Sequence, residues 1–221
     1  MAPSGLVRAL TAAASALEAS ADELNRLDGF AGDGDLGITM SEASRALKDV
    51  LAANQDMEVG PLLSACGAAI ARKAPSTSGT LVATGFLRAA KALADPAATD
   101  AGGTDVEALE RAFAAAMVGI QARGKAAPGD RTLVDGLDAV CTSLGESVAA
   151  GQALADALHF AAAAASAAAD RTVGMEPKVG RASWVPQRAV GHPDAGCAML
   201  AIATQAAAAE VTAGGTASAG G

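Results

Sequence analysis

Apolar residues recur every three to four positions along most of this chain, and stretches rich in Gly and Pro interrupt them. This pattern predicts about eight helices. The first runs from near Ser4 to Asn25. The second begins just past Asp35 and carries Met40, Ala43, Leu47 and Leu51 on one stripe. A third lies near Pro61 to Ala74. A fourth follows Ser76-Thr77-Ser78-Gly79 and runs to about Asp95, and Pro96 to Gly103 reads as a loop. Thr104, with Glu107 three residues on, forms a capping box for a fifth helix, whose Leu109, Phe113, Met117 and Ile120 share a face. A sixth spans about Thr132 to Ala150 and a seventh about Ala153 to Thr172. The eighth starts near Pro193 and stops before a flexible Gly/Ala/Ser tail at 213–221.

The segment from about Gly174 to Gly191 fits no element. It holds Pro177, Gly180, Pro186 and Gly191 together with Trp184, the only Trp. Long irregular loops in compact helical domains are usually functional or disordered, and the Trp argues against disorder. No internal repeat or domain boundary is visible, so residues 1–212 read as one domain.

Composition supports helices over strands. The chain is 51% hydrophobic but only 2% aromatic, and the apolar mass is mostly Ala, Leu and Val. Ala is the strongest helix former, and an Ala-rich face lets helices approach closely. The fold class expected is all-α. A net charge of −8 argues against nonspecific nucleic-acid binding and against a basic membrane-surface patch. No run reads as long enough to span a membrane. The three cysteines are widely spaced with no C-x-x-C, which points to a reducing, cytoplasmic setting.

Candidate chemistry lies in the interruptions. Asp28, Asp33 and Asp35 fall within Leu27-Asp28-Gly29-Phe30-Ala31-Gly32-Asp33-Gly34-Asp35-Leu36-Gly37. Carboxylates this close repel one another unless a hard cation neutralises them, and Mg²⁺ and Ca²⁺ both take oxygen ligands. The alternative is a solvated Asp/Gly turn with Asp35 capping the next helix. An EF-hand is excluded, because Ile38 and Ser44 stand where its loop needs Gly and Glu. Ser76 to Gly79 offers hydroxyls and free backbone ahead of a helix, a setting that binds phosphate. Gly124 to Thr132 and Gly180 to Gly196 add glycines and cations. Seven of the 16 Lys and Arg (Arg123, Lys125, Arg131, Arg171, Lys178, Arg181 and Arg188) fall in two segments, 123–131 and 171–188, that also carry Gly and Pro. They suit an anionic small ligand, or are scattered solubilising charge.

Taken in order, these blocks resemble the nucleotide-binding L subunit, or L domain, of dihydroxyacetone kinases. The match rests on the D-x4-D-x-D cluster, the Ser78-Gly79 turn, the R-G-K-A-x-P-G-D-R-T run from Arg123 to Thr132, and G-R-A-S through G-H-x-D-x-G from Gly180 to Gly196. The resemblance implies a barrel of eight antiparallel helices that binds ATP or ADP in the loops at one end. It implies that Asp28, Asp33 and Asp35 hold two Mg²⁺, with Arg181 as a supporting catalytic cation. It places phosphate contacts at Leu36, Gly37, Ile38 and Thr39 and at Thr77 and Ser78. The adenine end falls at Gly124 and Leu133, and the remaining nucleotide contacts at Arg181, Asp194, Ala195 and Gly196. His192 and His159 are expected to be structural.

The same resemblance implies that the ketone substrate is held by a separate K-type subunit or domain, for which 221 residues leave no room. Two phosphate sources stay open: free ATP, or bound ADP rephosphorylated by a phosphotransferase-system component. Leu36, Thr39, Thr80, Leu133, Gln187 and Ala195 depart from common family residues without removing a metal ligand, and leave the sugar open. The rival readings are the same module serving a tetrulose or another acceptor, and a regulatory protein that binds nucleotide without turnover.

Overall fold

The computed structural model describes residues 3–94 and 104–218, and every regular element among them is helical. The long helices are α1 (Pro3–Ala19), α3 (Leu36–Ala53), α4 (Val59–Lys73), α5 (Thr77–Leu93), α6 (Asp105–Gly124), α7 (Leu133–Ala149), α8 (Leu154–Thr172) and α10 (Ala195–Ser218). Between them lie the short α2 (Ala21–Asp28), a 3₁₀ turn (Arg181–Trp184) and α9 (Pro186–Ala189). Each long helix packs on the next in chain order, and α10 packs back on α1, which closes a ring. Most connections between neighbours are short, and the ring is antiparallel. The loops before α3, α5, α7 and α10 therefore share one end.

The predicted stripes face the interior. Met40, Ala43, Leu47 and Leu51 are all buried in α3. The Ala-rich α8 buries Ala157, Ala161, Ala165 and Ala168 and packs closely between α7 and α10. Thr104 and Glu107 make both bonds of the capping box, and Thr132 and Asp135 form a second one at α7.

Several boundaries differ from expectation. The first helix divides at Ser20, and the reason is packing. The start of α3 presses against the joint, where a Cβ on Gly37 would stand 1.8 Å from the Ala21 carbonyl oxygen. The turned α2 then buries Leu24 with Leu36, Met40 and Met199, closing the core beneath the loop end. The fourth expected helix starts earlier, at Thr77, because the Ser76 Oγ accepts the Gly79 amide at 3.0 Å and caps it. The last helix runs into the expected 213–221 tail as far as Ser218. Arg8 of α1 pairs with Glu210 at 3.1 Å and lies against Gly214, which holds this end of α10 to the ring. The expected 96–103 loop lies outside the described residues.

One window, Ala195–Gly214, is long and apolar enough to cross a membrane by length and composition, contrary to the sequence reading. In the ring it packs between α1 and α8, with Cys197, Met199, Ala201 and Ala208 buried.

The 173–194 segment is held by a cation that the sequence grouped with possible ligand contacts. Arg131 is 4% exposed. Its Nε donates to the Thr172 carbonyl at 3.0 Å, and its Nη2 donates to those of Ala189 and His192, both at 2.7 Å. Its charge is spent inside the protein. Arg131→Met leaves three carbonyls short of a donor and is expected to cost about 3 kcal/mol in urea unfolding. A midpoint equal to that of the parent would show that the segment is held by other contacts.

Candidate functional site

The loop before α3 is shaped by Asp28. Its Oδ2 accepts the amides of Gly34 at 2.8 Å and Asp35 at 3.1 Å. Gly34 has φ +77°, a left-handed conformation that favours glycine. A Cβ on Gly32 would stand 2.2 Å from Asp28 Oδ1, so the loop closes tightly around this carboxylate. One oxygen each of Asp28, Asp33 and Asp35 then lies within 4.8 Å of the others.

The charges respond to this crowding. Arg181 hydrogen-bonds Asp33 and holds its carboxyl below the usual carboxylate range. Asp35 is pushed up, first by loss of water and then by the charges of Asp33 and Asp28. Asp35 sits at the N-cap of α3, yet its side chain makes no capping bond. The simple capping alternative therefore does not hold. The donor set, three carboxylates with no nitrogen or sulfur, fits a hard divalent cation.

The other implied residues gather on the same rim. Thr39 is buried, and its hydroxyl donates to Ser76 Oγ at 3.2 Å, which ties the start of α3 to the start of α5. Thr77 and Ser78 occupy the first two positions of α5, where amides have no acceptor within the helix. Leu36 is buried and Leu133 half-buried in the cluster that also holds Met40, Met199 and Ala195, so both floor the site with apolar surface. Gly196 packs on Leu133, where a Cβ would meet the Leu133 Cβ at 3.1 Å, and this joins the starts of α7 and α10. Gly124 ends α6 beside Leu81 of α5. Asp194 Oδ1 accepts the Cys197 amide at 2.9 Å and so caps α10, while burial pushes its carboxyl up to about 6. Ile38 is exposed. The amides of Gly37 and Ile38 already donate to Asn25 Oδ1, at 2.7 and 3.2 Å.

The 173–194 segment folds over the acidic loop. Beyond the Arg181–Asp33 pair, Arg188 Nη2 donates to the Gly29 carbonyl at 3.5 Å. His192 stacks on Phe30, with ring centroids 3.4 Å apart. His192 is thus packed, as expected. His159 is exposed on α8, with an edge contact to Phe160. Trp184 is 79% exposed. Lys125, Arg171 and Arg123 are exposed, as scattered solubilising charge would be. Sequence reasoning missed Asn25 and the Ser76 bridge. Asn25 acts across 12 residues, where no local motif signals it.

A closed ring of antiparallel helices, with four helix starts and a carboxylate trio on one rim, defines the class of this protein. Comparison makes it specific: the DAK2 domain family matches residues 30–209, and the chain belongs to that family. The chain is 30% identical over 200 residues to the ADP-binding subunit DhaL of the PEP-dependent dihydroxyacetone kinase of Escherichia coli, covering 90% of this chain and 93% of that one. It is 34% identical over 209 residues to the D-erythrulose kinase of Mycolicibacterium smegmatis, covering 94% of this chain but 35% of the relative. This chain thus spans about a third of the length of that kinase and of the L-erythrulose kinase of Pectobacterium atrosepticum, of which 32% is covered. The crystal structure of the dihydroxyacetone kinase of C. freundii in complex with AMP-PNP and Mg²⁺ superposes with a TM-score of 0.68 at 28% identity, over 93% of this chain and 33% of that one.

Proposed function

We propose that this chain is the nucleotide-binding half of a phosphotransferase whose acceptor, a short-chain ketose, is held by a separate K-type subunit or domain. The observation that carries the reading is the trio Asp28, Asp33 and Asp35, with oxygens within 4.8 Å and Asp35 free of its capping duty. These residues would hold Mg²⁺, two ions in our reading, and Mg²⁺ there would neutralise the phosphates of ATP or ADP. The chain's own residues do the positioning. Thr77 and Ser78 present amides and hydroxyls to the phosphates at the positive end of α5. Thr39, fixed to Ser76, walls the same side. Leu36 and Leu133 keep the floor dry, and Gly124 and Leu133 border the adenine end. Asp194, Ala195 and Gly196 shape the opposite edge at the start of α10. Arg181 is the supporting cation of the site. Paired with Asp33 here, it stands within reach of developing phosphate charge.

The acceptor is dihydroxyacetone or its four-carbon relative. The erythrulose kinases among the similar proteins favour including the tetrulose. The donor is ATP, or ADP kept in place and rephosphorylated by a phosphotransferase-system component, as the PEP-dependent relative suggests. Free cysteines at 66, 141 and 197 agree with a cytoplasmic setting.

The test is co-purification of the partner, followed by a screen of the pair. Phosphorylation of dihydroxyacetone or erythrulose is expected only when both components are present. A pair that turns over no short-chain ketose with either donor would overturn the kinase reading and favour a regulatory nucleotide binder.

A further inference from the structure

We propose that Asn25 is a positioning residue that takes over the capping of α3 and so keeps the Asp35 carboxylate free for a cation; the cation is the one in the reading above. Aspartate is among the best N-cap residues because its carboxylate accepts the amides two or three positions into the helix. In α3 those amides belong to Gly37 and Ile38, and Asp35 at the N-cap bonds neither. Both donate instead to Asn25 Oδ1, at 2.7 and 3.2 Å, from the neighbouring helix α2. The geometry needs α2 and the start of α3 almost in backbone contact. Gly37 permits it, with only 1.8 Å between an added Cβ and the Ala21 carbonyl oxygen.

The choice of a neutral cap follows from the surroundings. Three carboxylates already crowd this loop, with one oxygen of each within 4.8 Å of the others. An amide oxygen satisfies the helix amides without adding a fourth negative charge. Asp28 has spent one oxygen on ordering the loop, and Asp33 is paired with Arg181. Asp35 is the acid left uncommitted, and Asn25 is what leaves it so.

A double-mutant cycle with Asn25→Ala and Asp35→Ala tests this, read by urea unfolding and by Mn²⁺ binding followed by electron paramagnetic resonance with ADP present. With Asn25 removed, Asp35 turns onto the vacated amides. The single Asn25→Ala variant should then lose little stability, and Asp35→Ala none. The double variant, with no cap, should gain about fivefold in unfolding constant beyond the sum of the singles. Mn²⁺ affinity should fall about tenfold in Asn25→Ala. It should stay at or above the parent level in Asn25→Asp, which keeps the accepting oxygen and guards against a folding defect. Additive stability losses, or parent-level Mn²⁺ affinity in Asn25→Ala, would overturn the proposal. If Asp35→Ala binds Mn²⁺ like the parent, Asp35 is no cation ligand and the proposal falls; if Asp33→Ala does so too, the cation reading itself fails. The stability cycle still decides whether the two caps exchange.

Discussion

Replacing either exposed acid of the trio, Asp33→Ala or Asp35→Ala, is expected to weaken Mg²⁺-dependent nucleotide binding by about two orders of magnitude or more while leaving the helical fold intact. The two variants should reach this end by different routes. Asp35 holds no side-chain hydrogen bond in the cap it occupies, and its carboxyl is raised first by loss of water and then by the charges of Asp33 and Asp28. Its removal relieves repulsion in the empty protein, so unfolding should be unchanged or slightly harder. Asp33 is paired with Arg181 on the exposed rim. Exposed pairs are screened by solvent and add little to stability, so Asp33→Ala costs little. It does release Arg181, and with it one tie between the 173–194 segment and the acidic loop. Calorimetry of Mg·ATP binding checks both variants beside circular dichroism. Unchanged affinity in both would remove the metal assignment and leave the acids as a solvated turn.

The periodic part of this fold was legible in the sequence because helix stripes and capping boxes are local. Met40, Ala43, Leu47 and Leu51 were visible at helical spacing, and Thr104 with Glu107 announced a start three residues apart. The grouping of loops at one end followed once the helices were placed in antiparallel order. Residues that act across the structure were not legible. Arg131 sat among Gly and Pro like a ligand cation, but its carbonyl partners lie 41 to 61 residues away. Asn25 looked like the last residue of a long helix, whereas it caps another helix. The end of α10 carries tail-like Gly and Ala, yet it stays helical and meets Arg8, more than 200 residues earlier, at Glu210 and Gly214. At the site itself, residue types showed which acids could share a cation. Which acid was free to do so depended on backbone amides that had found acceptors elsewhere.

The same substitution at two glycines should give opposite outcomes, and the contrast measures how much of the site rests on helix contact. Gly37→Ala places a Cβ 1.8 Å from the Ala21 carbonyl oxygen, far inside any tolerable approach, and its obstacle is backbone. Relief requires α2 to move off the start of α3. That movement breaks the Asn25 bonds to Gly37 and Ile38 and lifts Leu24 from its buried place against Leu36 and Met40. The expected loss is about 4 kcal/mol, at the upper end for single substitutions. Nucleotide affinity should fall with it, because Asp28, the last residue of α2, carries the acidic loop. Gly145 lies on the exposed face of α7, with nothing within 4 Å of an added Cβ. There the helix preference acts alone, and Gly145→Ala should stabilise by about 1 kcal/mol with binding unchanged. Paired urea titrations and Mg·ADP calorimetry on the two variants distinguish these effects. A Gly37→Ala protein with parent stability and affinity would mean that α2 is not held against α3 in solution. The α2–α3 contact would then not be what presents the carboxylates.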